Sequence, residues 1–270
     1  MKTYTQLSAL AVSVVLIFSA CKKENSVNPS PSSPDTSKQG SMQVKMTDGP
    51  ANYAALFMDI TGVDVYSEEQ GWVALSKEQQ KIDVLALNNG VTVNLTPETT
   101  VSAGTYTKIK IRFSENNSIA VNSGSTGAIA TIGLKWDGPR EAEVRIDQKI
   151  TGGAKTEVLL DFQVAQSIFQ DASNYIIRPM IAEVKDASTG IKGMVKGSGA
   201  ASVILTNGIH NYDTYINANG EFLIRGVEPG KYDMIVSPLT NLQGTLLSPK
   251  RIEGLVIAKG KISETTTVQF

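Results

Sequence analysis

Short runs that alternate apolar and polar residues recur along the chain from residue 42 onward. Residues 106–113 alternate over their full length with Lys and Arg on the polar face, and residues 42–46 and 91–95 show the same pattern. A period of two residues predicts a strand with one buried and one solvated face. Clusters of Gly, Asn, Asp and Pro separate these runs and supply turns. The pattern therefore predicts an all-β fold, a sandwich or barrel of antiparallel strands.

Further strands are predicted at residues 57–66, 144–146, 158–162 and 175–184. The helical pattern is weak by comparison. Residues 77–87 favour one short helix, and residues 164–169 favour one or two helical turns.

A change of composition at residues 187–190 indicates a domain boundary. Beyond it the sequence predicts about seven short strands in about eighty residues, the size of one small Greek-key sandwich. Asn219-Gly220 lies between two alternating runs and predicts a hairpin, because both residue types tolerate positive φ. We therefore expect two β-sandwich domains, residues 42–187 and 188–270.

The first twenty residues have the layout of a secretory signal peptide. Lys2 is basic, residues 7–18 are nearly all apolar, and Ser19-Ala20 is a small pair directly before Cys21. The apolar stretch is short for a membrane-spanning helix. A bacterial lipoprotein signal places Cys immediately after the cut, so we expect cleavage between Ala20 and Cys21 and lipidation of Cys21. The alternative, a buried free cysteine, does not fit the Lys-Lys-Glu-Asn that follows.

Residues 21–41 are predicted to be a disordered tether. Pro and Ser dominate the segment and large apolar side chains are nearly missing from it, so it cannot bury enough surface to fold. Following a lipid anchor, such a segment is expected to hold the folded domains away from an outer membrane. We therefore predict a lipoprotein of the cell envelope that contacts the membrane through its lipid.

Composition excludes several classes of function. The formal net charge is −1, which does not provide the clustered basic face that nucleic acid needs. Cys21 is the only cysteine, so no disulfide framework is expected. The chain is 41% hydrophobic, enough for sizeable cores.

No catalytic set emerges from the sequence. His210 is the only histidine and has neither a cysteine nor a nucleophile elbow beside it, and zinc chemistry needs several His or Cys ligands. The spacing of the paired carboxylates of a glycan hydrolase is determined by the three-dimensional fold, and nothing in the sequence singles out such a pair. We therefore predict no catalytic residues, no metal and no cofactor.

Three aromatic residues are candidates for ligand binding. Trp136 lies beside a turn at Asp137, and Tyr212 and Tyr215 lie in a polar stretch near His210. Exposed aromatic faces stack on sugar rings, whereas the alternative for each is packing in the core.

The C-terminal region resembles the carboxypeptidase regulatory-like domain over residues 190–270. The resemblance rests on Gly220-Glu221-Phe222 followed by Pro229-Gly230-Lys231-Tyr232. It implies a transthyretin-like β-sandwich, grouped with carbohydrate-binding-like folds, that acts as an accessory module rather than as a catalyst.

Residues 41–186 are similar to the DUF4382 domain, a family of unknown function found in lipoproteins of the Bacteroidetes and other bacteria. The residues that carry this similarity include Thr47-Asp48-Gly49-Pro50, Asn88-Asn89-Gly90 and Leu160-Asp161-Phe162. Gln163 stands where the family often has a second Asp, so a cation bound by that acidic pair is not expected here.

Three functions fit these expectations. The first is a non-catalytic, lipid-anchored binding or accessory module at the cell surface, with weak carbohydrate binding or another envelope protein as its partner. The second is a pilin-like structural or adhesion subunit that assembles by strand donation, since residues 265–270 alternate and could be donated. The third and weakest is a glycan hydrolase.

Overall fold

Every second side chain of the first strand, β1 at Gln39–Thr47, is buried, as the alternation of its sequence predicts. Met42, Val44 and Met46 have no exposed surface. The computed structural model describes residues 38–123, 127–239 and 247–270. The predicted signal segment, its cleavage site, Cys21 and nearly all of the tether lie outside the described residues.

Strands dominate the described part of the chain up to Glu183. After β1 they are β2 Ala55–Ser67, β3 Gly71–Ser76, β4 Gln80–Asp83, β5 Val93–Asn94, β6 Thr99–Ser102, β7 Gly104–Phe113, β8 Ser118–Ser123, β9 Ala128–Trp136, β10 Glu141–Ile150, β11 Lys155–Phe162, β12 Ile168–Asp171, β13 Asn174–Ile177 and β14 Ile181–Glu183. The helical segments are a 3-10 turn at Val84–Leu87 and the helix α1 at Val164–Ser167. The all-β prediction is confirmed.

These strands form two sheets around one core. The first sheet has the order β14-β11-β1-β5, with β6 also paired to β1. The second has the order β10-β7-β2-β8-β9-β13-β12, with β3 and β4 paired to β2. Buried side chains from both sheets, such as Phe162 from the first and Ile109 from the second, belong to a single apolar cluster. The sheets are therefore the two layers of a sandwich.

The C-terminal region forms a second sandwich with its own core. Its strands are β15 Gly190–Lys196, β16 Ala201–Thr206, β17 Asn211–Tyr215, β18 Glu221–Arg225, β19 Gly230–Pro238, β20 Lys250–Ile257, β21 Ile262–Glu264 and β22 Val268–Gln269. One sheet has the order β18-β15-β21 with β22 also on β15, and the other has the order β17-β16-β19-β20. Phe222 from one sheet and Tyr232 from the other lie in the same buried cluster. All described residues belong to one compact unit, Thr36–Phe270.

Strand direction differs from the antiparallel expectation at four pairs of described strands. The pairs β1–β11, β9–β13, β15–β21 and β15–β22 are parallel. Parallel partners need a long connection between them, which local sequence patterns do not reveal.

The predicted hairpin at Asn219-Gly220 is wrong. The turn is present, but β17 before it pairs with β16, whereas β18 after it pairs with β15 in the other sheet. Gly220 has φ of 82°, and a Cβ there would lie 2.1 Å from the carbonyl oxygen of Val195 on β15. Glycine is therefore required by a crossing between sheets rather than by a hairpin.

The helix expected at residues 77–87 forms only in its last turn. Gln80–Asp83 pairs with β2 as a strand, and the 3-10 turn at Val84–Leu87 follows with the Asp83 side chain accepting from the amide of Leu85. The turn expected at residues 164–169 is present as α1. Among the described residues, no helix has the length and apolar character needed to span a membrane.

Candidate functional site

A cavity of about 700 Å³ is lined by residues of both sandwiches. The first sandwich contributes the end of β1, the residues around α1 and the loop that contains Asn89. The second contributes β17, β18 and the loop around Glu228. Its volume is in the range of small-molecule sites, which makes it the candidate functional site of the described residues.

Strand pairing places two aspartates of the first sandwich at this cavity. β1 and β11 run parallel, and Thr47 at the end of β1 is the register partner of Asp161. Asp48 follows directly, and its amide donates to the carbonyl oxygen of Leu87 at 3.2 Å. Both residues therefore lie at the same end of the same sheet and line the cavity.

Asp48 is the most buried carboxyl group of the site. The residue is 5% exposed, and its Oδ1 accepts from the backbone amide of Val164 at 3.2 Å. Its Oδ2 is buried and has no hydrogen-bond partner. Burial raises the pKa of Asp48 to about 8, against the lowering effect of the Val164 amide, and the nearby Asp161 raises it further. At neutral pH most Asp48 side chains are consequently protonated and uncharged.

The other two acidic groups are more open. Asp161 is half-buried, and burial raises its pKa to about 6 against a hydrogen bond with Gln163 that lowers it. Asp213 on β17 comes from the second sandwich, and partial burial in the cavity wall raises its pKa. The negative charge of Asp213 also raises the pKa of Asp48 and of Asp161. The three carboxyl groups thus form one electrostatically linked set that includes residues of both sandwiches.

The loop Asn88-Asn89-Gly90 fixes the second sandwich against the first. Asn89 has φ of 58°, its amide donates to Thr214 Oγ1 at 3.0 Å, and its Nδ2 donates to the carbonyl of Glu221 at 3.1 Å. Its Oδ1 accepts from the amide of Leu223 at 2.6 Å. One side chain therefore bonds to the backbone of β18 as a neighbouring strand would. These hydrogen bonds fix the position of the cavity wall that β17 and β18 form.

Only one of the three aromatic candidates lines the cavity. Tyr212 does so, and its hydroxyl accepts from the amide of Glu228 at 3.3 Å. Tyr215 is half-buried near Asp213 but is not part of the lining. Trp136 packs on Phe113 with ring centroids 5.4 Å apart, at the edge of the first core. The structure therefore separates the three residues rather than bringing them together.

His210 lies on the surface. Its Nε2 is 3.4 Å from Glu228 Oε2, and 45% of its side chain is exposed. In the described part of the chain, no group of three or more His, Cys, Asp or Glu side chains has the arrangement of a metal site.

Sequence reasoning missed Asp48, Asp161 and Asp213 as a set. Asp48 and Asp161 belong to two of the quoted family motifs, but the local pattern predicts only a turn at the first and a strand at the second. The sequence signal that could identify them as site residues is their position at the ends of strands with apolar neighbours.

The chain belongs to the DUF4382 family, described as a domain of unknown function, which it matches over residues 39–179. The match includes Asp48, Asn89 and Asp161, so the first sandwich's share of the cavity wall comes largely from the family domain. Asp213 lies outside the matched residues.

None of the curated proteins compared matches the chain. Among solved structures, a leucine-rich repeat protein from Bacteroides thetaiotaomicron is 13% identical with a TM-score of 0.21, and the match covers 87% of this chain but 26% of that one. The C-terminal fragment of the pilus adhesin SpaC from Lactobacillus rhamnosus GG is 11% identical, with a TM-score of 0.21 and coverage of 86% and 96%. The shaft pilin SpaA from the same organism is 10% identical, with a TM-score of 0.20 and coverage of 86% and 96%.

Proposed function

We propose that this protein is a non-catalytic, lipid-anchored binding module of the cell envelope, and that the cavity between its sandwiches is the binding site. Asp48 carries this proposal. The position of Asp48 is 95% buried, and an apolar residue there would stabilise the fold more than an aspartate does. The reason is that an unpaired buried polar atom is destabilising. Buried, unpartnered polar groups with shifted pKa values inside a cavity are typical of ligand sites.

The ligand we propose is a carbohydrate. Asp161 and Asp213 offer hydrogen-bonding groups in the cavity wall, and Tyr212 offers a ring. Sugars present many hydroxyl groups and an apolar ring face, which such a mixture suits. The resemblance of the second sandwich to carboxypeptidase regulatory-like, transthyretin-like domains is consistent with this role but is an analogy of fold.

Strand donation receives no support from the last strand. β22 pairs with β15 of its own domain, and Val268 is buried in that domain's core. A self-completed sandwich needs no strand from a neighbour, so we favour the binding module over the pilin-like subunit.

A glycan hydrolase is the second candidate, because Asp48 and Asp161 differ in ionisation. Such enzymes pair a protonated carboxyl group with an ionised one. Oδ2 of Asp48 is buried from solvent, which argues against its transferring a proton to a substrate. Release of reducing sugar from a bound glycan, abolished by both Asp48→Asn and Asp161→Asn, would replace the non-catalytic proposal.

Glycan-array binding by the purified full chain tests the site. Tyr212→Ala, which alters the cavity wall, is expected to weaken binding several-fold, since stacking of one ring on a sugar is worth about 1 kcal/mol. Tyr215→Ala is the matched control because it lies outside the lining, and it should bind as wild type. If no glycan binds, the cavity is not a carbohydrate site.

Radioactive palmitate labelling of cells tests the anchor. Wild type should be labelled and fractionate with membranes, whereas Cys21→Ala should be neither. Equal labelling of the two proteins would exclude lipidation at Cys21.

A further inference from the structure

Two aromatic rings lie side by side on the outer face of the sheet that contains β2, β3, β7 and β10. Tyr66 on β2 and Trp72 on β3 are register partners, and their ring centroids are 5.3 Å apart. Val65 and Val73 beside them pack on the first core, so Tyr66 and Trp72 point to the opposite face. Trp72 is 39% exposed, and among the described residues of these four strands it is the only large apolar side chain so exposed.

Strand pairing extends the two rings into a row. Tyr66 is also the register partner of Lys108 on β7, and Lys108 is the partner of Arg145 on β10. Trp72, Tyr66, Lys108 and Arg145, which we call the aromatic–cationic row, therefore cross four adjacent strands on one face. Adjacent strands lie about 4.8 Å apart, so the row is about 14 Å long.

The cationic end of the row carries positive charge that the protein does not neutralise. The other charged groups of this face pair with one another: Asp64 with Arg112, and Lys110 with both Glu141 and Glu143. Lys108 is 3.9 Å from Glu143, which is closer to Lys110. Arg145 is exposed and, in the described part of the chain, forms no ion pair. The nearby Glu68 is at the aromatic end, where it accepts from the Tyr66 hydroxyl at 3.2 Å.

Contacts with lysines hold both rings in place on the face. Lys110 Nζ is 4.7 Å from the ring centroid of Trp72, and Lys108 Nζ is 5.5 Å from that of Tyr66. The Lys110 side chain is 19% exposed, less than Trp72, so the indole covers the ammonium group and keeps part of its own surface in solvent. Rings that are already fixed lose little conformational freedom when a ligand stacks on them.

We infer that the aromatic–cationic row binds an acidic glycan, a chain that contains uronic acid units. Sugar rings present an apolar face that stacks on Trp72 and Tyr66. A carboxylate of the same chain accepts hydrogen bonds from Arg145, whose guanidinium matches it in shape, and from Lys108. The spacing of strands, about 4.8 Å, is close to the length of one sugar unit, so the row accommodates about three units.

This site is separate from the cavity between the sandwiches and does not depend on the function proposed for that cavity. None of the four residues of the row lines the cavity. One exposed indole among charged groups is too small an apolar surface for a stable protein interface or for insertion into a membrane. A glycan needs only a ring to stack on and polar groups beside it, which favours a glycan as the occupant.

Acidic hexasaccharides and their methyl esters test charge and stacking separately. The probes are the hexamers of galacturonic, mannuronic and glucuronic acid, each compared with its methyl ester, which has the same ring faces and no charge. Isothermal calorimetry on the purified full chain should show at least one acidic hexamer binding about tenfold or more tightly than its ester, the ratio expected of a charge-assisted hydrogen bond. Added salt should reduce this preference.

Variants then assign the binding to the row. Trp72→Ala should weaken binding of the acidic hexamer and of its ester by about fivefold, because both lose a stacking ring. Arg145→Gln should weaken only the acidic hexamer, by about tenfold. Phe169→Ala and Arg178→Gln are matched controls, since this exposed ring has the guanidinium 5.9 Å from its centroid at the far end of the same sheet. Thermal unfolding of each variant shows whether a loss of binding reflects a loss of fold.

Four results would overturn the inference. They are no binding of any acidic hexamer, equal binding of acid and ester, loss of binding in Phe169→Ala as large as in Trp72→Ala, and loss in Tyr212→Ala but not in Trp72→Ala. The last result would assign the acidic glycan to the cavity and support the function proposed there. Binding through Trp72 to vesicles of phosphatidylglycerol, with no binding of a hexamer, would show a lipid-binding face instead.

Discussion

The Oδ1 atom of Asn89 accepts a hydrogen bond from the amide of Leu223 at 2.6 Å, which joins a loop of one sandwich to a strand of the other. The same side chain donates to the carbonyl of Glu221. Both bonds are made to backbone groups of β18. Gly90 adds to the close fit, since a Cβ there would lie 2.6 Å from Leu223 Cδ2. This contact holds the wall that carries Asp213 against the wall that carries Asp48.

Removal of the Asn89 side chain should therefore weaken the contact between the two sandwiches. Asn89→Gly keeps the positive φ and loses two hydrogen bonds, so we expect the free energy of unfolding to fall by about 1–3 kcal/mol. Asn89→Ala should cost about 1 kcal/mol more, because Ala is strained at a φ of 58°. Denaturant unfolding measures both, with Asn122→Ala on an exposed position of β8 as the control. Wild-type stability in Asn89→Ala would show that the loop does not hold the domains.

Gly220 offers a second test, with Gly208 as its matched control. Both have positive φ, 82° and 86°, so Ala at either position carries the same backbone strain of about 1 kcal/mol. A Cβ at Gly220 would also lie 2.1 Å from the carbonyl oxygen of Val195, whereas a Cβ at Gly208 would meet nothing within 4 Å. Thermal unfolding should thus show Gly220→Ala to be destabilised by about 2 kcal/mol or more beyond Gly208→Ala. Equal effects would mean that the crossing between sheets does not depend on this approach.

Local patterns predicted the strands well where one face of a strand is buried. In β7 the apolar residues Ile109, Ile111 and Phe113 are buried, and Lys108 and Lys110 on the other face pair with Glu143 of the neighbouring strand. Burial of one face and a period of two dictate this outcome without knowledge of the neighbour. The all-β class could therefore be predicted from the sequence.

Pairing partners could not be predicted in the same way. Asn219-Gly220 has the local chemistry of a hairpin, but β18 gains its hydrogen bonds from β15 instead. The site depends on such long-range pairing even more strongly, because the contact of Asp48 with Val164 joins residues 116 positions apart. Composition and spacing carry no information on long-range strand pairing. The sequence therefore does not predict that the three aspartates line one cavity.

Asp48→Asn should stabilise the protein, and the gain should grow with pH. The pKa of Asp48 rises from its ordinary value of 3.8 to about 8 on folding, so folding takes up a proton between these values. The stability that the neutral carboxyl group contributes is complete below the unfolded pKa and is lost as the pH rises toward the folded one. Asn is neutral at every pH, and its Oδ1 can still accept from the Val164 amide.

The difference in unfolding free energy between Asp48→Asn and wild type is therefore expected to change with pH rather than to stay constant. Between about pH 5 and pH 7 the gap in unfolding free energy should widen by about 1.4 kcal/mol per pH unit, which corresponds to one proton. Urea unfolding across this range measures the slope, and Asp171→Asn, at an exposed position of β12, is the matched control. A gap that stays constant with pH would mean that Asp48 titrates near its ordinary value, and that a neutral carboxyl group is not part of the unliganded cavity.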